Sequence, residues 1–209
     1  MTAPGNMFAD LLAQPGVVET AELRSRFGFM AFHGGLEGGT AEIAAQAAEM
    51  AAASLYAVVQ PPAMTWHVPS IEVSPDVSKK LAGFVEHVDV AVAIHGYGRR
   101  ERPLDILVGG TNRQLASHVA RHLWAGIRGF QIIDDLDEIP DNLRGLHRRN
   151  PVNLPTDGGV QVELPPRARD RRLGAYRGEP CVPVDGLVEA LARAAATYES
   201  TSNVPPERQ

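Results

Sequence analysis

Cysteine is almost absent from this chain: Cys181 is the only one in 209 residues. A lone thiol excludes an internal disulfide and a thiolate-held metal cluster, so any metal must be held by His, Asp or Glu. Lysine is scarce as well, with only Lys79 and Lys80. No apolar run approaches the roughly 18 residues that a membrane span requires. The opening stretch MTAPGNMFADLLAQPGVVETAEL has neither a basic start nor a long apolar centre. These absences predict a cytoplasmic protein without a membrane partner. Several catalytic signatures are missing too. There is no G-x-S-x-G, which argues against an esterase elbow, and no G-x-x-x-x-G-K-[ST], which removes a phosphate-binding loop. GYGRRE lacks the third glycine of a dinucleotide fingerprint.

The composition that remains is that of an ordinary globular chain, 44% hydrophobic and 22% charged, large enough to bury a sizeable core. It predicts one domain over residues 1–200 and a disordered tail, TSNVPPERQ, at 201–209. A net charge of −5 argues against a nucleic-acid partner, but that charge is unevenly spread. Residues 1–98 carry 4 basic and 10 acidic side chains, and residues 178–209 carry 2 and 5. Residues 99–177 reverse the balance with 14 and 10, all 14 of the basic ones arginine. The planar guanidinium suits carboxylates and phosphates, which points to an anionic ligand near this stretch. A GC-rich genome would produce the same bias with no ligand at all.

Short apolar runs alternate with helical patterns. Residues 27–33, 54–60, 88–96, 104–110, 130–133 and 159–165 read as strands, most of them too continuously apolar to have a wet face. Residues 39–54, 74–87, 111–126 and 184–200 read as helices, with Thr40, Ser74 and Thr111 in capping positions. Residues 134–158, rich in Pro, Asn and Asp, read as a long loop with one short helix. The alternation predicts a mainly parallel or mixed sheet covered on both faces. Sites in such sheets gather outside the carboxyl ends of the strands.

Three strand ends carry polar chemistry. In FHGGLEGGT, His33 closes a strand and Glu37 follows in a glycine-rich turn. In AIHGYG, His95 closes another. In GVQVELPPRAR, Glu163 shares one strand face with Gln161, while Val160, Val162 and Leu164 occupy the other. Two imidazoles and a carboxylate, His33, His95 and Glu37, make a ligand set that leaves a fourth zinc position open for water, as catalytic sites require. A carboxylate such as Glu163 among apolar neighbours is costly unless it is paired or functional, and general-base chemistry would be that function. The alternatives are structural histidines and a Glu163 that only pairs with Arg167 or Arg169. His118 and His122, one turn apart, read as residues of a helix surface; His67, His87 and His147 are weaker candidates.

The ordered series FHGGLEGGTAEIA, TWHVPS, AIHGY, ILVGGTN, RNPVNL and GVQVELPPRAR resembles the phage-type poly-γ-glutamate hydrolase family over about residues 28–170. That resemblance implies a three-layer α/β/α fold with a mixed, mostly parallel, carboxypeptidase-like open sheet, and zinc-dependent hydrolysis of a γ-linked polyglutamate backbone. Carried over by position, His33, Glu37 and His95 would hold Zn2+ and Glu163 would be the general acid/base. Asn150, Asn153 and Arg167 match recurrent polar positions. Arg99, Arg100, Arg113 and Arg167 are the candidates to grip a substrate carboxylate or an oxyanion. Only GGL separates His33 from Glu37, one residue fewer than the family pattern, which leaves Glu42 as an alternative carboxylate. Two other functions stay open at this point: a zinc deacylase of small N-acyl amino acids, and a non-catalytic binding protein on the same fold.

Overall fold

The computed structural model describes residues 6–172 and 180–199, so the tail expected at 201–209 lies outside the described residues. Along the chain the elements are helix α1 (Met7–Leu12), strands β1 (Val18–Glu22) and β2 (Phe27–Gly34), helix α2 (Thr40–Met50), strand β3 (Ser54–Val59), helix α3 (Lys79–His87), and strands β4 (Val90–Gly96) and β5 (Asp105–Val108). Helix α4 (Arg113–Gly126), strands β6 (Gln131–Ile133) and β7 (Gly159–Leu164), and helices α5 (Pro166–Arg169) and α6 (Leu187–Thr197) complete them. The strands form one open sheet in the order β1-β3-β2-β4-β7-β5-β6. Neighbours from β3 to β7 are parallel, β1 is antiparallel to β3, and β5 and β6 are parallel to each other but reversed against β7.

Burial explains this order. Every residue of β2 and of β7 is buried, as expected of central strands covered on both faces. Phe29, Val92, Val160 and Val162 pack with α2, α4 and α6 on one side. Met30, Tyr56, Ala91 and Ala93 pack with Phe8 of α1 and with Leu81 and Phe84 of α3 on the other. The result is the expected three-layer architecture with a mixed, mostly parallel sheet. Edge strand β1, VETAE, has no buried residue and was not evident from its pattern.

Three capping expectations are corrected. Helix α2 begins after Gly39 at φ +88° with no side-chain cap, and the Thr40 hydroxyl instead donates to the Glu37 carbonyl at 2.8 Å. Helix α3 is capped by Ser78 rather than Ser74, and α4 by Asn112 rather than Thr111. In each case the neighbouring hydroxyl is engaged in a turn or loop contact: Ser74 with Asp76, and Thr111 with Asn153. The 134–158 loop holds two short 3-10 turns, 141–143 and 151–153, in place of the single helix expected. Among the described residues, no helix is long and apolar enough to cross a membrane.

Candidate metal centre and active site

Because β2, β3, β4 and β7 run in one direction, their carboxyl ends share one edge of the sheet, and the polar strand-end residues meet there. His95 and Glu163 are direct partners in the parallel β4–β7 register. They point to the same face as Ala91, Ala93 and Gln161. His33 would point to the opposite face if β2 continued its alternation. The β2–β3 register shifts between Ala31 and Gly34, however, and the irregularity swings the imidazole to the edge. Its ring then lies 5.1 Å from that of His95.

Glu37 arrives through a tight turn in which its backbone N–H donates to the His33 carbonyl at 2.8 Å. Gly35 sits at φ +81° in that turn, and a Cβ there would stand 2.1 Å from the Gln60 carbonyl oxygen. Only glycine lets the chain pass at this point. One carboxylate oxygen of Glu37, Oε1, lies 2.9 Å from His33 Nδ1. The other, Oε2, accepts from the Gly96 N–H at 2.8 Å and lies 3.6 Å from His95 Nδ1. Glu42, the alternative carboxylate, is exposed on α2 and takes no part.

The protonation chemistry of this cluster favours a cation. His33 Nε2 lies 2.8 Å from the Val68 carbonyl oxygen. A carbonyl only accepts, so Nε2 carries the hydrogen and Nδ1 of the neutral ring is a lone pair facing a carboxylate oxygen. Two lone pairs at that separation require a positive charge between them, a proton or a metal ion. His95 turns Nδ1 towards Glu37, and its Nε2 is buried without a hydrogen-bond partner among the described residues. Burial pulls this imidazole down most strongly, yet the nearby carboxylates of Glu37 and Glu163 together lift it above its ordinary value. Burial likewise disfavours ionised Glu37, but the hydrogen bond with His33 and the charges of His95 and His33 outweigh it and hold the carboxyl well below the usual range.

The donor group close enough to hold one ion contains a different second imidazole, His67, and does not include His95. His67, in the loop after β3, has its ring 4.9 Å from that of His33. Donor atoms of His33, Glu37 and His67 all lie within 4.8 Å of one another, close enough to share one ion. In the sequence His67 appeared only inside TWHVPS, where no strand end or periodicity marked it.

Glu163 is 4% exposed, and burial pushes its carboxyl above the ordinary value against the pull of His95. It is paired with neither Arg167 nor Arg169. Instead its Oε1 accepts from Gln161 Nε2 at 2.8 Å, and Gln161 Oε1 in turn accepts from Asn150 Nδ2 at 2.8 Å. Asn150 is thus buried behind the general-base candidate. Asn153 holds loop backbone, donating to the Gly145 carbonyl at 2.7 Å and accepting from Thr111.

The arginines expected at the site are mostly occupied elsewhere. Arg113 donates to the carbonyls of Val108, Gly110 and Asp134. Arg99, in the loop after β4, donates to Asn142 Oδ1 at 2.8 Å, and Arg100 and Arg167 are exposed. Arg169, singled out only as a possible ion-pair partner, is the arginine that reaches the strand ends: its Nη1 donates to the Gly38 carbonyl at 2.6 Å and its Nε to the Leu164 carbonyl at 3.2 Å. His118 is half-buried where α4 meets α6, its Nε2 3.1 Å from the Ala194 carbonyl, away from this edge.

A family model described as poly-gamma-glutamate hydrolase matches residues 8–175. The SPbeta prophage-derived UPF0714 protein YoqZ of Bacillus subtilis (strain 168) is 29% identical over 161 residues, which make up 75% of this chain and 55% of that protein. The chain therefore spans little more than half the length of that relative. Among solved structures, a bacteriophage poly-gamma-glutamate hydrolase aligns with a TM-score of 0.67 at 25% identity, over 90% of each chain. The zinc-free apo form of YNDL aligns with a TM-score of 0.67 at 22% identity, over 86% of each chain.

Proposed function

The chain belongs to the poly-gamma-glutamate hydrolase family, and from that premise we propose that it is a zinc-dependent hydrolase of an amide bond flanked by a carboxylate, of the γ-glutamyl kind. One observation supports this above the others. The Glu37 carboxylate lies between His33 Nδ1, at 2.9 Å, and His95 Nδ1, at 3.6 Å, near a buried carboxylate, Glu163, that has no cationic side chain paired to it among the described residues. Two imidazoles and one carboxylate suit zinc better than the harder Mg2+ or Ca2+, which prefer all-oxygen ligands. Bound there, zinc would polarise the scissile carbonyl and bring the pKa of a water towards about 7.

The protein side chains do the rest. Val68 fixes His33 so that Nδ1 is its ligand atom. The Gly96 N–H orients Glu37. Glu163, held at one oxygen by Gln161, takes the proton of the attacking water and passes it to the leaving amine. Its elevated pKa suits both halves of that transfer, since it binds the proton firmly enough to carry it.

His67 offers a second way to complete the donor set, with His33 and Glu37. Zinc content of His95→Ala and His67→Ala variants separates the two sets: the ligand whose loss empties the site is the one that holds the ion. The activity is tested by assaying zinc-loaded protein on γ-linked and α-linked glutamate oligomers, beside Glu163→Gln. The proposal expects cleavage of the γ-linked oligomer, and a variant slower by about 100-fold to 10,000-fold that keeps its zinc. An unimpaired variant, or wild-type protein inert on both oligomers, would refute it.

A further inference from the structure

Arg169 follows β7 on the short helix α5, and its side chain turns back across the end of β4. A Cβ placed on Gly96 would stand 2.7 Å from Arg169 Cζ and 2.8 Å from Nε, so the guanidinium occupies the space that the missing side chain leaves. Bonds to the Leu164 and Gly38 carbonyls hold it there, tying the end of β7 to the turn that carries Glu37. Burial draws the guanidinium below its usual value, and the charges of Glu37, Cys181 and Glu163 oppose that. Among the described residues, no carboxylate forms an ion pair with it. A largely buried cation is costly without an anion, and Nη2 makes no hydrogen bond among those residues.

We propose that the guanidinium of Arg169 receives the carboxylate that flanks the scissile amide, and so makes an anionic neighbour a requirement for the substrate. This rests on the reading of the site as an amide hydrolase and adds to it the residue that recognises the substrate class. The fork is preorganised by two backbone carbonyls, so seating a carboxylate costs little reorganisation and supplies a charge-assisted hydrogen bond. Gly96 is part of the same device, because any larger residue there displaces the guanidinium.

The test compares two oligomers of equal length: γ-linked glutamate, and 4-aminobutyrate, which has the same amide backbone without the α-carboxylates. Wild-type protein should prefer the first by at least about 100-fold in kcat/KM. In Arg169→Gln that preference should collapse towards unity, chiefly through KM, with partial recovery in Arg169→Lys. Gly96→Ala, which keeps the charge but moves it, should lose preference in the same direction. If Arg169→Gln fails to fold, Gly96→Ala decides. Equal loss on both substrates would show a structural latch, and unchanged preference would show no role; either overturns the proposal. Calorimetric binding of γ-glutamylglutamate separates this failure from that of the hydrolase reading. Binding that Arg169→Gln weakens at least about tenfold sustains the carboxylate seat even in a protein that cleaves neither oligomer. Absent or unaltered binding overturns it.

Discussion

At the scale of single residues, what matters is which atom of each polar group is already committed. His33 spends Nε2 on a carbonyl and Glu163 spends Oε1 on an amide, which leaves one atom of each for chemistry. Gln161 therefore has a measurable role. Glu163 accepts a proton only when ionised, so activity falls as pH drops through its pKa. Burial has already raised that pKa, and the Gln161 N–H opposes the rise by stabilising the charge. Replacing Gln161 by Leu should move the acidic limb of the kcat/KM profile to higher pH by about one unit and lower kcat. A limb that stays in place would remove Gln161 from the mechanism. Much of this was legible: His33, Glu37, His95 and Glu163 stood out as polar residues at apolar strand ends. The roles of Asn150, Arg169 and His67 were not, because contacts across long sequence separations leave no local pattern. Asn150 stood out only as a recurrent polar position of the resembled family, and in the fold it is 3% exposed and bonded to Gln161.

At the scale of elements, the end of β2 is where local irregularity produces a site. Its register slip turns His33 to the edge, and the Gly35 turn brings Glu37 round within four residues. Gly35→Ala should cost about 2 kcal/mol or more in urea unfolding, since positive φ and the approach to Gln60 both penalise a Cβ. A loss below about 0.5 kcal/mol, the range of an ordinary surface substitution, would show that the turn is not so constrained. The strands and longer helices were visible as apolar runs and amphipathic periods. The caps were not, because serine and threonine near a helix start can equally well fasten a turn. Helix α1 and strand β1 were missed: one is six residues long, and the other is a polar edge with no buried face.

At the scale of the whole molecule, the candidate ligands come from the ends of β2 and β4, the turn after β2 and the loop that carries His67, so bound zinc would act as a clamp on the fold. An ion that binds only the native state stabilises it by about 2.7 kcal/mol at 100 times its dissociation constant. For a chain of this size that corresponds to about 5–10 °C in the unfolding midpoint. Chelation should remove that increment from wild-type protein, as calorimetry would register, and make no difference to a ligand variant whose site is already empty. A midpoint indifferent to both zinc and chelator would argue against a bound ion. The mixed sheet has a simple cause at this scale. Only residues 97–104 separate β4 from β5. That link is too short for the helical crossover a parallel neighbour needs, and β5 joins β7 in reverse instead.

By itself the sequence determined the class of fold, because buried strands and amphipathic helices declare themselves through the spacing of apolar residues. It also narrowed what a metal could bind, because a lone cysteine leaves imidazoles and carboxylates as the side chains able to make up a ligand set. Tertiary structure alone decided which nitrogen of His33 faces Glu37, that His67 stands within reach, and that Arg169 rather than Arg99, Arg100, Arg113 or Arg167 lies over Gly96. Those are matters of direction and distance between residues far apart in the chain, set by strand register and backbone irregularity rather than by residue type.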